Sequence, residues 1–265
     1  MALPGDFVDP DCPLDWSHPL SVGLVADWTI VPNSGWRGGL TLRDLVRGGR
    51  KPNDGTLTNG PTWAGSKGRP GGFGAISYDG SNDKTVLAST VTLADFSAFV
   101  WAKCSGDCAI FGLNGASQPQ LRIGQGGANK LSTFDDINNP QSSTLPVSQT
   151  SWSHVGFTRV GSTVTFWQNG VSYGTGTMDP SRPSNHGKDF NQIGAFLTAS
   201  NVFNGQMDGF TLHSRALSAA QVRALYAETK LGNPEWFRWV STRAWSIPAV
   251  ATGNRRRRVI CGRAG

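Results

Sequence analysis

Thr150 to Gly174, TSWSHVGFTRVGSTVTFWQNGVSYG, is the stretch whose reading decides the fold. From Trp152 to Val160 the residues alternate, with Val155 and Phe157 on one face and Trp152, His154, Gly156 and Thr158 on the other. A period of two is what a strand with one buried face requires. Gly161-Ser162 turns the chain, and Val164 to Gln168 alternates again, Val164 and Phe166 against Thr165 and Trp167. Asn169-Gly170 follows, and both residues tolerate the positive φ that a type I′ hairpin turn demands. Val171 to Tyr173 resumes the extended run. A lone hairpin cannot bury its apolar face, so this meander predicts a sandwich or barrel.

The rest of the chain agrees with that class. A length of 265 residues holds one large β domain with arms. Thirty-four Gly and fifteen Pro, with few long apolar runs, predict many turns between short strands. No stretch is long and apolar enough for a membrane span. The start, MALPGDFVDPDCPLDW, has neither a basic nor an apolar segment of the secretory kind, and is read as no signal. From Thr229 onward there are eight Lys and Arg against one acid, Glu235, while the whole chain carries +6. The body is therefore nearly neutral and the tail holds the basic charge. That argues against a nucleic-acid binder, although the tail suits an acidic surface.

Outward from the central stretch, Gly23 to Trp28 is expected to be the first strand, and Gly72 to Val86 two strands about Asp79-Gly80-Ser81. Phe96 to Lys103 carries apolar groups on both faces, as a strand buried between layers does. Asn114 to Pro119 and Gly124 to Pro146 are polar and are expected to be loops. Ser218, with Gln221 three residues on, forms a capping box, and Leu217 can staple onto Val222. A short helix with the stripe Val222, Leu225 and Tyr226 follows, ended by Gly232 and Pro234.

Four motifs occur in chain order: Asn53-Asp54-Gly55-Thr56-Leu57; Tyr78-Asp79-Gly80; Trp152 with His154-Val155 and the aromatic strand ending in Asn169-Gly170; and Phe203 through Ser218. Together they resemble the laminin G-like, concanavalin A-like lectin family over roughly residues 21 to 230. The resemblance implies an all-β concanavalin A-like jelly-roll sandwich of two antiparallel sheets, with one short C-terminal helix and extended N- and C-terminal arms. The division expected is an N-terminal arm over 1–20, a jelly-roll domain over 21–230, and an aromatic, Arg-rich arm over 231–265. The flanks resemble those of phage and prophage virion-associated members of the family.

Catalysis by the family's glucanases needs two carboxylates about 5 Å apart. The chain has only two Glu, Glu228 and Glu235, neither on a strand, and no strand carries two acids at matching spacing. No catalytic residue is assigned. The four His lie on different elements, with no acid or Cys at metal spacing, and are read as structural. Members of the superfamily often hold a rim calcium with a closing-strand carboxylate. The resemblance places Asp208 there, with Asp44 or Asn53-Asp54 alongside; the alternative is that Asp208 caps Gly205 or accepts loop N–H bonds. Cys104 and Cys108 flank a tight turn where a disulfide is geometrically open, with reduced thiols the preferred reading in the absence of a secretory signal.

A glycan site needs exposed aromatics beside Asn, Asp or Gln; Trp36, Trp63, Phe134 with Asp135 and Asp136, and Phe196 are candidates. In the tail, Trp236, Phe237, Trp239 and Trp245 are too crowded for one helix face, and a sandwich closed by its helix is expected to leave them exposed. With Arg255, Arg256, Arg257 and Arg258 they form the expected partner-attachment element. The resulting expectation is a non-enzymatic virion surface protein, a capsid decoration or fibre or tail subunit, assembled in a host cytoplasm. Its partners would be capsid or other virion proteins or further copies of itself. The alternative is a carbohydrate-binding module for a cell-surface or polymeric glycan.

Overall fold

In a computed structural model of the chain, the structure describes residues 6–8, 14–30, 39–46, 52–65, 68–112, 119–125, 129–134, 140–148, 150–178, 189–195, 202–231, 236 and 239–241. In chain order the strands are β1 (Asp6–Val8), β2 (Leu24–Trp28), β3 (Thr41–Leu42), β4 (Gly55–Thr58), β5 (Thr62–Trp63), β6 (Ile76–Asp79) and β7 (Lys84–Thr92). Then come β8 (Phe96–Cys104), β9 (Cys108–Gly112), β10 (Pro119–Gln125), β11 (Lys130–Phe134) and β12 (Pro140–Pro146). The meander is β13 (Ser153–Val160), β14 (Thr163–Gln168) and β15 (Val171–Thr177), followed by β16 (Asp189–Ile193) and β17 (Asn204–His213). The helix α1 (Ala219–Lys230) and β18 (Trp239–Ser241) complete the order.

Two eight-stranded antiparallel sheets face each other, as the jelly-roll expectation requires. One runs β12-β11-β10-β9-β16-β7-β4-β3; the other runs β15-β14-β13-β8-β17-β6-β5, with β2 also paired to β17. The hairpin turn between β14 and β15 has φ of 51° at Asn169 and 79° at Gly170, the two positive angles the Asn-Gly pair predicted. Between the sheets lies a core of Ala98, Val100, Val155, Phe157, Phe166, Phe111, Phe190 and Phe203 with their neighbours. Phe111 stacks on Phe157 at 6.1 Å and meets Phe210 edge-on at 5.0 Å.

A second core lies on the outer face of the sheet that contains β8. Leu14, Leu20, Leu24, Phe99, Trp167, Leu217, Val222, Leu225 and Trp236 build it. This explains the two-faced burial of β8: Ala98 and Val100 point into the sandwich, while Phe99 and Trp101 are covered from outside. The cover is α1, whose capping box at Ser218 and Gln221 is present on both sides. Its buried residues Val222, Leu225 and Thr229 fall on one stripe, and Trp101 donates its indole N–H to Thr229 Oγ1 at 2.9 Å.

Two expectations are corrected. The segment 124–146, expected as loop, contains β11 and all of β12; these strands bury polar residues, Ser132, Thr133 and Ser143 among them, so hydrophobic alternation did not reveal them. Trp236, expected as an exposed attachment residue, is 1% exposed. The sandwich has a second core outside its sheet, and the indole fills it while donating to Asp27 Oδ2 at 3.1 Å. Asp15 N–H also donates to the Trp236 carbonyl, so residues from both arms meet on this face. Beyond it, β1 pairs with β18 in a separate ribbon, Phe7 opposite Val240. Phe237, Trp245 and Arg255 to Arg258 lie outside the described residues, and only the backbone of Trp239 is described.

Candidate functional site

The outer face of the sheet is apolar where α1 covers it, and its character changes one row further along. Strand register places Lys103 opposite Gln206, Gln206 opposite Ser77, and Ser77 opposite Thr62. Trp152, one residue before the Ser153–Ala102 pair, sits beside Lys103. Residues opposite one another in register share a face. The row Trp152, Lys103, Gln206, Ser77, Thr62 therefore crosses five strands on the outer face, a span of about 19 Å at the usual strand spacing.

The helix cover stops short of this row. Thr229, in the last turn, is bonded to Trp101, and Lys103 is two residues beyond Trp101 on the same face. What remains is an open groove of about 630 Å³ lined by Lys103, Cys104, Ser105, Thr150, Trp152, Asn204, Gly205 and Gln206. Its size is that of a small-ligand site. Trp152 and Gln206 are half-buried, whereas Lys103, Thr150 and Asn204 are exposed. Gln206 Nε2 donates to Ser77 Oγ at 3.2 Å, which aims the amide along the row. Gly205, at φ 150°, is among the lining, and a Cβ there would stand 2.1 Å from the Lys103 carbonyl oxygen. Lys103 is the one charged residue of that lining, and no carboxylate is among the described residues that form it.

The expected calcium carboxylates are otherwise engaged. Asp208 is buried, its Oδ2 lies 2.9 Å from Arg69 Nε, and its Oδ1 accepts the Ile30 N–H at 3.0 Å. The Arg69 guanidinium also sits 5.7 Å from the Trp101 ring centre. Burial pushes the Asp208 carboxyl above the usual range, and the Arg69 charge opposes that shift. Asp44 accepts N–H bonds from Asp27 and Val46 on one oxygen and from Asn53 on the other. A hard cation needs six or more oxygen ligands, and here a guanidinium holds the place beside Asp208. The two residues do not fit a calcium site. Among the described residues no group of three or more His, Cys, Asp or Glu is placed to hold a metal ion.

The histidines in the strands are structural in their surroundings. His154 is stacked on Phe99 at 5.2 Å and its pKa is lowered to about 3, first by burial and then by Arg69. His213 donates from Nε2 to the Leu20 carbonyl at 2.9 Å and is lowered to about 4, chiefly by burial. Cys104 and Cys108 are buried free thiols, Cys108 bonded to the Ser105 carbonyl at 3.3 Å. Glu228 stands on α1, 3.7 Å from His18; Glu235 lies outside the described residues.

Of the glycan candidates read from the sequence, the two within the described residues lie on different sheets. Trp63 ends β5 in one sheet, packs on the main core and donates its indole N–H to the Gly39 carbonyl at 2.7 Å; Phe134 ends β11 in the other sheet. Trp36, Asp135, Asp136 and Phe196 lie outside the described residues. The residue missed was Trp152. Its place at the head of the central strand, on the face opposite Val155, was the available signal; that the helix stops before it was not.

The concanavalin A-like lectin/glucanases superfamily pattern matches residues 79–223. No curated protein sequence matches the chain. Among solved structures, domain 4 of AbnA, an extracellular GH43 arabinanase from Geobacillus stearothermophilus in complex with arabinotriose, is similar with a TM-score of 0.58 and 20% identity, covering 77% of this chain and 98% of that one. The binding domain of Paraclostridial Mosquitocidal Protein 1 gives 0.56 at 13% identity, covering 80% and 55%. Trypanosoma rangeli sialidase gives 0.54 at 12%, covering 80% of this chain and 33% of the enzyme. At these identities the likeness is one of fold.

Replacing Arg69 by Leu strands the buried Asp208 carboxylate and is expected to destabilise the fold by about 3–5 kcal/mol. Excess EDTA or added calcium is expected to leave the melting temperature of the unaltered chain unchanged. A melting temperature that falls with EDTA, or an Arg69→Leu variant as stable as the parent, contradicts this account.

Proposed function

The chain belongs to the concanavalin A-like lectin/glucanases superfamily, and on that footing we propose that it is a non-enzymatic carbohydrate-binding module whose site is the groove at Trp152. One observation carries the reading: an open groove with an aromatic ring, amides and a cation, and no carboxylate among its described lining residues. A sugar presents C–H faces that pack on an indole and hydroxyls that bond to Asn, Gln, Thr and Lys. Glycoside hydrolysis needs a carboxylate pair, which the groove's described residues do not supply. The arabinanase domain solved with arabinotriose lends support, since this chain spans nearly all of it.

A second reading rests on the ribbon of β1 and β18, which joins the two ends of the described chain outside the sandwich. Such an element suits attachment to a larger assembly, and we place the module on a virion surface as a capsid decoration or a fibre or tail subunit. The two readings are compatible, since a glycan-binding module can be carried by a larger particle.

Trp152→Ala is expected to weaken binding to a polysaccharide found by array screening at least tenfold, about 1.4 kcal/mol, without lowering the melting temperature. Unchanged affinity in that variant, or an array without any binding, defeats the glycan reading. Mass spectrometry of purified particles is expected to find the chain, at copy numbers near the capsid protein for decoration or at a few copies for a tail role; its absence from particles rules out the virion role.

A further inference from the structure

We infer that the groove selects an acidic polysaccharide, one carrying carboxylates along an extended chain, over a neutral one of the same linkage. The inference rests on the proposed glycan site and adds its chemistry. Lys103 is the second residue of the cross-strand row, between Trp152 on one side and Gln206 on the other. It is exposed, and no carboxylate lines the groove with it among the described residues. An acid opposite an ammonium on a neighbouring strand would stabilise it and compete with an anionic ligand. Here the cross-strand neighbours are a neutral amide and an indole, so no acid in the row competes with a ligand carboxylate for Lys103.

The row also gives the ligand a shape. Trp152, Lys103, Gln206, Ser77 and Thr62 run across the strands rather than along them, on the outer face one row past Trp101, where α1 ends. A single terminal sugar would contact Trp152 and Lys103 and leave Ser77 and Thr62 unused, four strand spacings of about 4.8 Å away at the far end. A linear chain lays one ring on the indole, brings a carboxylate to Lys103 Nζ, and sets hydroxyls against Gln206 and Ser77. The near-neutral body supplies no broad basic field around the groove, and the basic tail is separated from Lys103 in the test by the Lys103→Gln variant, which keeps the tail.

The test uses the full chain with uronic acid polymers, polygalacturonate and alginate, and the carboxyl-reduced form of each, in affinity electrophoresis and titration calorimetry. The expected result is that one acidic polymer binds at least tenfold more tightly than its reduced counterpart, with an advantage that shrinks as salt is raised. Lys103→Gln is expected to erase that advantage while retaining residual binding, and Trp152→Ala to weaken both forms. Equal binding of acidic and reduced forms that Trp152→Ala abolishes overturns the acidic preference and leaves the glycan site standing. The same holds if only neutral polymers from a wider panel bind and Trp152→Ala abolishes that binding. An acidic preference that survives Lys103→Gln also overturns the inference. No binding to any polysaccharide defeats the inference and the glycan reading together. Far-UV circular dichroism and melting of both variants confirm that each remains folded.

Discussion

The hydrogen bond from the Trp101 indole to Thr229 fixes where the helix ends on the sheet, and the exposed chemistry follows from that position. Strand β8 is apolar on both faces, so burying only its inner face in the sandwich would leave Phe99 and Trp101 in water. Helix α1, the segment around Leu14 and Leu20, and Trp236 meet that need together. Because Thr229 lies in the last turn of α1, the cover reaches Trp101 and His154 and no further. The row two residues on is left as a polar groove.

The same constraint explains the buried charges. Asp208 lies opposite Trp101 in the register, at the margin of the covered face, where water cannot serve it. Arg69 supplies the counter-charge and the Ile30 N–H a bond, so a guanidinium and a backbone donor hold the closing strand to the loop beside it. A metal ion would have to displace both. Asp27, raised to about 6 chiefly by burial, is held in the same way by Thr29 and by the indole of Trp236.

The elements legible in the sequence were those whose cause is local. Asn169-Gly170 demanded a hairpin turn, Ser218 and Gln221 a helix start, and the two-faced apolar pattern of 96–103 a strand between layers; each is observed. What stayed hidden depends on distant partners. Ser132, Thr133 and Ser143 are polar yet buried, so β11 and β12 looked like loop. Trp236 reads as an exposed aromatic until Leu14 and Asp27 are seen beside it. The Arg69–Asp208 pair joins residues far apart in the chain, and no spacing announces it. Of the groove, the outward face of Trp152 was readable, but the register that sets Lys103, Gln206 and Ser77 beside it was not.

The central claim is that the uncovered row on the outer sheet face is where a saccharide binds. Amide and indole chemical shifts, followed by NMR while an oligosaccharide cut from a bound polymer is added, test it most directly. The account predicts the largest changes at Lys103, Ser105, Asn204, Gln206 and the Trp152 indole, with the interior of the sandwich unmoved. Changes centred instead on Trp63 or on the β11 and β12 strands, with Trp152 and Lys103 silent, would contradict it.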